Sequence, residues 1–185
     1  MGATNVNVAT NGTCHVAVYG TTLPTKASEV ASLDPAFTDC GEISQDGLEA
    51  AFSVTTDAQR NWSGQPIRTF NTESTVTFKL TFLEADDATV QEIYYGTAVT
   101  SQIGDQSHVL IGQPDVSPKS YVISCIDSSD DSITSYIAPR GVVSDRGPVV
   151  EQSGGVSMFE VTITALYDET LGAAVNKLFD NDLTS

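Results

Sequence analysis

From Thr75 to Leu83 the chain reads TVTFKLTFL, with Val76, Phe78, Leu80 and Phe82 on one side and Thr75, Thr77, Lys79 and Thr81 on the other. A period of two sends successive side chains to opposite faces, so this run predicts a half-buried β-strand. Leu48, Ala50, Phe52 and Val54 alternate in the same way with Glu49, Ala51, Ser53 and Thr55 and predict a second. HVAVYG (His15 to Gly20) reads as a short strand. YVISCI and ITSYIA flank DSSDDS as a β-hairpin, and FEVTITALY closes the pattern with Phe159, Val161, Ile163 and Ala165 inward. The period changes once, in ADDATVQEIYYG, where Val90, Ile93 and Tyr94 share a helical face. Asp86 or Asp87 is placed to cap that helix, and Gly96 to stop it.

Between these elements the chain is polar and punctuated. Residues 1–13 read as a flexible arm, and Pro24, Pro35 and Gly41 break up a long link from Thr21 to Gly41. Gly112, Pro114 and Pro118 mark a second turn-rich stretch, and AAVNKLFDNDLTS after Gly172 reads as a short helix or an arm. We therefore expect an N-terminal arm (1–13), one domain (14–170) and a C-terminal arm or short helix (171–185), without internal repeats. Six or seven strands around one helix make the expected fold mainly β. It is a β-sandwich or open barrel with one flanking α-helix, long loops and terminal arms.

One segment is longer than such a domain needs. A strand from Ile67 to Leu83 would extend about 55 Å at ~3.3 Å per residue. Its inner half belongs to the domain by alternation, whereas the outer half, with Trp62, Gln65, Pro66, Ile67 and Phe70 near the tip, reads as a hairpin arm toward a neighbouring subunit. Trp62 is the single tryptophan and lies outside any periodic pattern. It either folds back over the end of the barrel or anchors another chain, a common use of exposed aromatics.

Composition narrows the function. A length of 185 residues fits one domain with a substantial core. Charged residues are 17% of the chain, against about 25% in an average domain. Eight Lys and Arg oppose 24 Asp and Glu, a net charge of −16. Such a surface repels nucleic acid phosphates and anionic lipid headgroups. MGATNVNVATNGT has neither the basic start nor the apolar centre of a secretory signal, and no run approaches the ~18 apolar residues of a membrane span. We expect a cytosolic polypeptide that does not itself bind membranes, with Cys14, Cys40 and Cys125 as reduced structural thiols. Asn11-Gly12-Thr13 and Asn61-Trp62-Ser63 match the glycosylation triplet by chance in that context.

Catalytic chemistry requires a nucleophile, a base and an orienting group within reach. His15 begins a strand and His108 sits in a polar loop, while no phosphate-cradling glycine loop, G-x-S-x-G or H-E-x-x-H occurs. Glu73, Glu84 and Glu160 read as solvated strand faces in a chain with this acid excess rather than as a glycosidase pair. DSSDDS lacks the sharp-turn Gly and closing Glu of a calcium loop and reads as an acidic hairpin turn. No catalytic residue, metal ligand or cofactor site is expected.

Two segments carry a resemblance. VYGTTLPTKASEVASLDPAFTDCGEISQDGLEAAF (Val18 to Phe52) contains G-T-T-L-P-T, an A-F pair and a D-x-G-x-x-S-x-D-G run at Asp39, Gly41, Ser44, Asp46 and Gly47. The stretch from Asp57 to Gly96 places Trp62, Gly64 and Arg68 before the strand and helix, and APRGVVSD (Ala138 to Asp145) is a weaker third match. Together they resemble the major tail proteins that build the tail tube of long-tailed, non-contractile bacteriophages. The resemblance implies a β-sandwich or barrel, akin to type VI secretion tube proteins, that closes into six-membered rings stacked as a hollow tube. It implies a subunit assembled in the host cytoplasm and housed in the virion tail, whose main partner is itself. A tape measure protein would set the length, with tail terminator and distal tail proteins at the ends and double-stranded DNA passing without specific binding. The alternative from the residues alone is a β-sandwich binding module, recognising carbohydrate or a cell surface through Trp62, Tyr94 and Tyr95.

Overall fold

The apolar side of the Thr75–Leu83 run is where the core begins. The computed structural model describes residues 8–101, 107–128, 132–151 and 153–180. In chain order its strands are β1 (Asn11–Val18), β2 (Thr38–Asp39), β3 (Glu49–Arg60), β4 (Pro66–Phe82), β5 (Thr100–Ser101), β6 (Ser107–His108), β7 (Lys119–Asp127), β8 (Ser132–Arg146), β9 (Phe159–Ala165) and β10 (Asn176–Asp180). One α-helix, α1 (Ala88–Tyr95), follows β4. Eight of the strands form one antiparallel sheet in the order β2-β1-β7-β8-β9-β4-β3, with β10 also paired to β8. Among the described residues the chain is thus mainly β with one short flanking helix.

Cross-strand partners share a face, so β4 and β9 lay Leu80 against Val161 and Phe82 against Phe159 on the inner side. Phe78, Leu80 and Phe82 are buried with Cys14, Val16, Tyr121, Ile123, Val161 and Ile163. Burying each large apolar side chain is worth about 1.5–3 kcal/mol. Residues 38–44 join the two ends of the sheet. β2 pairs with β1 and the Cys40 N–H donates to the Cys14 carbonyl at 2.9 Å, while Ser44 N–H reaches the Thr81 carbonyl at 2.8 Å on β4. The sheet is therefore closed into a barrel by a single crossing segment, leaving few unpaired main-chain groups around the core.

The helix covers the barrel as its sequence predicts. Asp87 Oδ1 accepts the Thr89 and Val90 N–H groups at 2.8 and 3.1 Å, and Gly96 ends the helix in a left-handed conformation. Val90, Ile93 and Tyr94 turn inward, where the Tyr94 ring lies 4.5 Å from that of Phe159. The outer face of the sheet is covered too. The link after β1 contains a 3-10 turn, Ala27–Ser32, that lies against β8 and β10. Val122 and Ile137 are buried on that face beside a 2.9 Å hydrogen bond between the Ser124 and Ser135 hydroxyls.

Several boundaries differ from the sequence expectation. The polar residues 11–13, expected in the arm, are strand: β1 begins at Asn11, and even Thr10 N–H donates to the Ile126 carbonyl at 2.8 Å. Residues 1–7 of that arm lie outside the described residues. The C-terminal segment, expected as an arm or short helix, contributes strand β10 at Asn176–Asp180, held antiparallel to Ile133–Ile137. In both cases main-chain pairing with a waiting edge decides the conformation, and side-chain patterning does not announce it. β8 runs on to Arg146 instead of ending near Ala138. It passes Pro139 because β10 has ended at Ile137 and β9 starts at Gly141, while β7 carries a register shift at Ser120 whose Oγ donates to the Pro139 carbonyl. Of the DSSDDS turn, residues 129–131 lie outside the described residues, but its flanking strands pair as expected.

Candidate assembly surface

β9 pairs with β4 only from Val76 to Phe82. Beyond that point β4 has one partner among the described residues, β3, and the two continue as a two-stranded ribbon out to Arg60 and Pro66. Ten residues of β4, 66–75, lie in this ribbon, which projects about 33 Å. Both faces of the ribbon are exposed, and so is nearly every residue of β3.

The tip is built by Asn61. Its Oδ1 accepts the N–H of Ser63 at 3.0 Å and of Gln65 at 2.8 Å, mimicking a backbone turn. Main-chain bonds from Asn61 to Gln65 and from Gly64 to Asn61 close the loop, and Arg60 Nη1 donates to the Gly64 carbonyl at 2.9 Å. Gly64 sits at φ 79°, a conformation that a side chain would disfavour. Trp62 rides on this ordered turn fully exposed, not folded back over the barrel end.

The other sequence-predicted residues share the arm. Gln65 closes the turn, Pro66 starts β4 opposite Arg60, and Ile67 and Phe70 are exposed along it. A bulge decides which way Phe70 faces. Thr55 pairs with Glu73 but Thr56 with Asn71, so Thr72 is extra. Phe70 thereby lies opposite Asp57, on the face away from Phe52 and Val76. Without that extra residue it would share their side.

Sequence reasoning overlooked Phe52 and Val54. Both continue the core-facing side of the sheet, Phe52 opposite Val76, yet Phe52 is 70% exposed. Their alternation was the available signal, but alternation does not say which molecule supplies the cover. Charge marks the arm as well: it carries Arg60 and Arg68, two of only eight basic residues. Elsewhere Lys79 pairs with Glu160 at 3.0 Å, Lys119 with Glu92 at 2.6 Å, and Lys177 lies over the Tyr136 ring.

The two histidines lie on different strands. His15 is half-buried in β1 and His108 exposed in β6, and among the described residues no three His, Cys, Asp or Glu side chains are placed to hold a metal. The three thiols are unpaired. Cys40 is pushed well above the ordinary thiol range by its hydrogen bond with Cys14 and then by burial, which makes it unreactive.

A family model described as phage tail tube protein matches residues 1–184. The chain belongs to the phage tail tube protein family. As a tail tube protein it is a structural part of the virion tail and not an enzyme. Chains in three solved structures are similar. One is from the sheath–tube complex of an extracellular contractile injection system in the extended state, at 9% identity over 95% of this chain and 93% of that one, TM-score 0.47. Another is from the anti-feeding prophage baseplate, at 10% identity over 94% and 96%, TM-score 0.47. The third is from the virion of a native gene transfer agent particle, at 10% identity over 80% and 92%, TM-score 0.41. No curated protein matches the tail tube chain.

Proposed function

We propose that this tail tube protein is the repeating subunit of a long, non-contractile tail, closing into rings of six that stack into the genome conduit. The β3–β4 arm makes contacts between subunits. The observation that carries this is the ribbon itself: an ordered two-stranded arm with Trp62, Ile67 and Phe70 exposed, an apolar display that the described residues do not cover. The resemblance of residues 18–52 and 57–96 to non-contractile tail tube proteins supports the type of tail.

Head-to-tail contacts close into a ring when the rotation permits, whereas stacking is open-ended. Length is then set by a tape measure protein, with terminator and distal tail proteins capping the ends. The net charge of −16 gives passing double-stranded DNA few phosphate contacts, so the genome slides without adhering.

Electron microscopy of the purified chain tests the proposal, with hollow tubes or six-membered rings expected. Shortening residues 60–72 leaves the barrel pairing intact and is expected to yield folded monomers without tubes. Normal tubes from the shortened chain would move the contacts elsewhere, and a persistent wild-type monomer under all assembly conditions would refute the subunit role.

A further inference from the structure

The sheet forks at Ala165. β9 ends there, opposite Val76 of β4 and Gly141 of β8. Residues 166–175 then leave the sheet in a turn, closed by Asp168 N–H to the Ala173 carbonyl and Gly172 N–H to the Asp168 carbonyl. The chain returns as β10 on the same edge of β8 that β9 had occupied, running in the same direction. One prong of the fork is the β3–β4 ribbon and the other is the β8–β10 pair. The edge of β4 at 66–75 and the outer edge of β10 have no strand beside them among the described residues.

Between the prongs lies a groove of about 570 Å³. Phe52, Val76 and Phe78 line it from the ribbon side, and Tyr136, Val175 and Lys177 from the other. Its floor is the protein's own core, since Phe78 is fully buried and its ring lies 5.5 Å from that of Tyr136. Cross-strand pairing places Lys177 with Tyr136 and Phe179 with Thr134, so Phe179 shares the inner face as well. Phe179 is 63% and Phe52 70% exposed. The inner, apolar face of the sheet thus continues past the point where the described residues stop covering it.

We infer that this fork is a docking slot for an extended segment of a second copy of this chain, which pairs with a free strand edge and completes the core over Phe52 and Phe179. Two observations select the occupant. Among the described residues Lys177 is the one charged residue lining the groove, whereas the chain carries 24 acidic residues against eight basic ones. A second copy therefore brings the complementary charge. In addition, a tail tube places copies of this chain side by side, and strand edges flanking an apolar slot are the elements of β-strand addition. The inference rests on the tube-subunit reading and assigns one of its interfaces.

The experiment uses the full chain with Cys125→Ser and Ala174→Cys, labelled with a maleimide-benzophenone on one copy in ten and mixed with isotopically heavy unlabelled chain. Irradiation of assembled tubes is expected to give light–heavy cross-linked dimers, absent before assembly. Cross-links confined to one chain, or to a different protein, overturn the inference. In parallel, Lys177→Glu and Phe179→Ser are expected to keep the wild-type circular dichroism spectrum while lowering tube yield at least tenfold. Wild-type yield from both variants overturns the slot while leaving the subunit role intact. A wild-type chain that never assembles removes the subunit role and the slot together.

Discussion

The hydroxyl of Thr72 donates to the carbonyl of Thr55 at 3.0 Å, across the inner of the two places where β3 and β4 fall out of step. The bond pins the extra residue of the bulge, so β4 from Arg68 to Asn71 presents its side chains with the opposite alternation from the inner arm.

Deleting Thr72 removes the inner bulge and leaves the shift between Gln59 and Arg60 in place. Phe70 then turns to the side of Phe52 and Val76, while the barrel, which begins at Val76, keeps its pairing. The expected outcome is an unchanged far-ultraviolet spectrum with tube yield at least tenfold lower by sedimentation. Full assembly would mean that neighbouring subunits do not read the faces of the arm.

Trp62 allows a cleaner separation of folding from assembly. It is fully exposed, and surface substitutions usually fall within about 0.5 kcal/mol of neutral. Trp62→Ala is therefore expected to leave the melting temperature of the monomer unchanged. An interface anchor is worth about 2 kcal/mol or more, roughly a thirtyfold rise in the critical concentration for assembly. Light scattering against protein concentration measures it, and an unshifted threshold would make Trp62 an ornament of the tip.

Asn61 tests whether the tip must be ordered in advance. Its side chain accepts two main-chain N–H groups, and losing such an acceptor costs about 1 kcal/mol at an exposed turn. Asn61→Ala is expected to speed amide exchange at Ser63 and Gln65 and to weaken assembly less than Trp62→Ala. Equal weakening by the two would imply that Trp62 acts only when the turn holds it.

What the sequence made legible follows from where the information lies. β4, β9 and α1 could be read because each turns a periodic apolar face onto the chain's own core, and Asp87 and Gly96 mark the ends of the helix. β10 and the Asn11–Thr13 start of β1 could not, because main-chain edges recruit them and their side chains carry little pattern. The Thr72 bulge has no composition signal at all. In the arm, Trp62 stood out by lying outside any period. Phe52 and Val54 did not, since an alternating strand looks the same whether its cover comes from its own chain or from another.

A part-buried contact between the two ends of the domain gives the last test, by acid. Asp168 is buried at the start of the 168–173 turn that opens the fork. Its Oδ1 accepts the Leu171 and Thr170 N–H groups at 2.9 Å, and its Oδ2 the Tyr19 hydroxyl at 2.9 Å. The Leu171 N–H first, then the Tyr19 hydroxyl, hold its carboxyl below the ordinary carboxylate range. A group depressed in the folded state contributes stability that is complete above its unfolded value, near ~3.9, and is lost as pH falls through the lower folded value. Many carboxylates titrate over the same range, so the wild type is compared with Asp168→Asn, which keeps an acceptor for the turn but has no charge to lose. The variant is expected to be less stable at neutral pH and to lose less of its melting temperature between about pH 5 and pH 2. Parallel melting curves for the two chains across that range would show that the charge of Asp168 contributes nothing to the Tyr19 contact or to the turn.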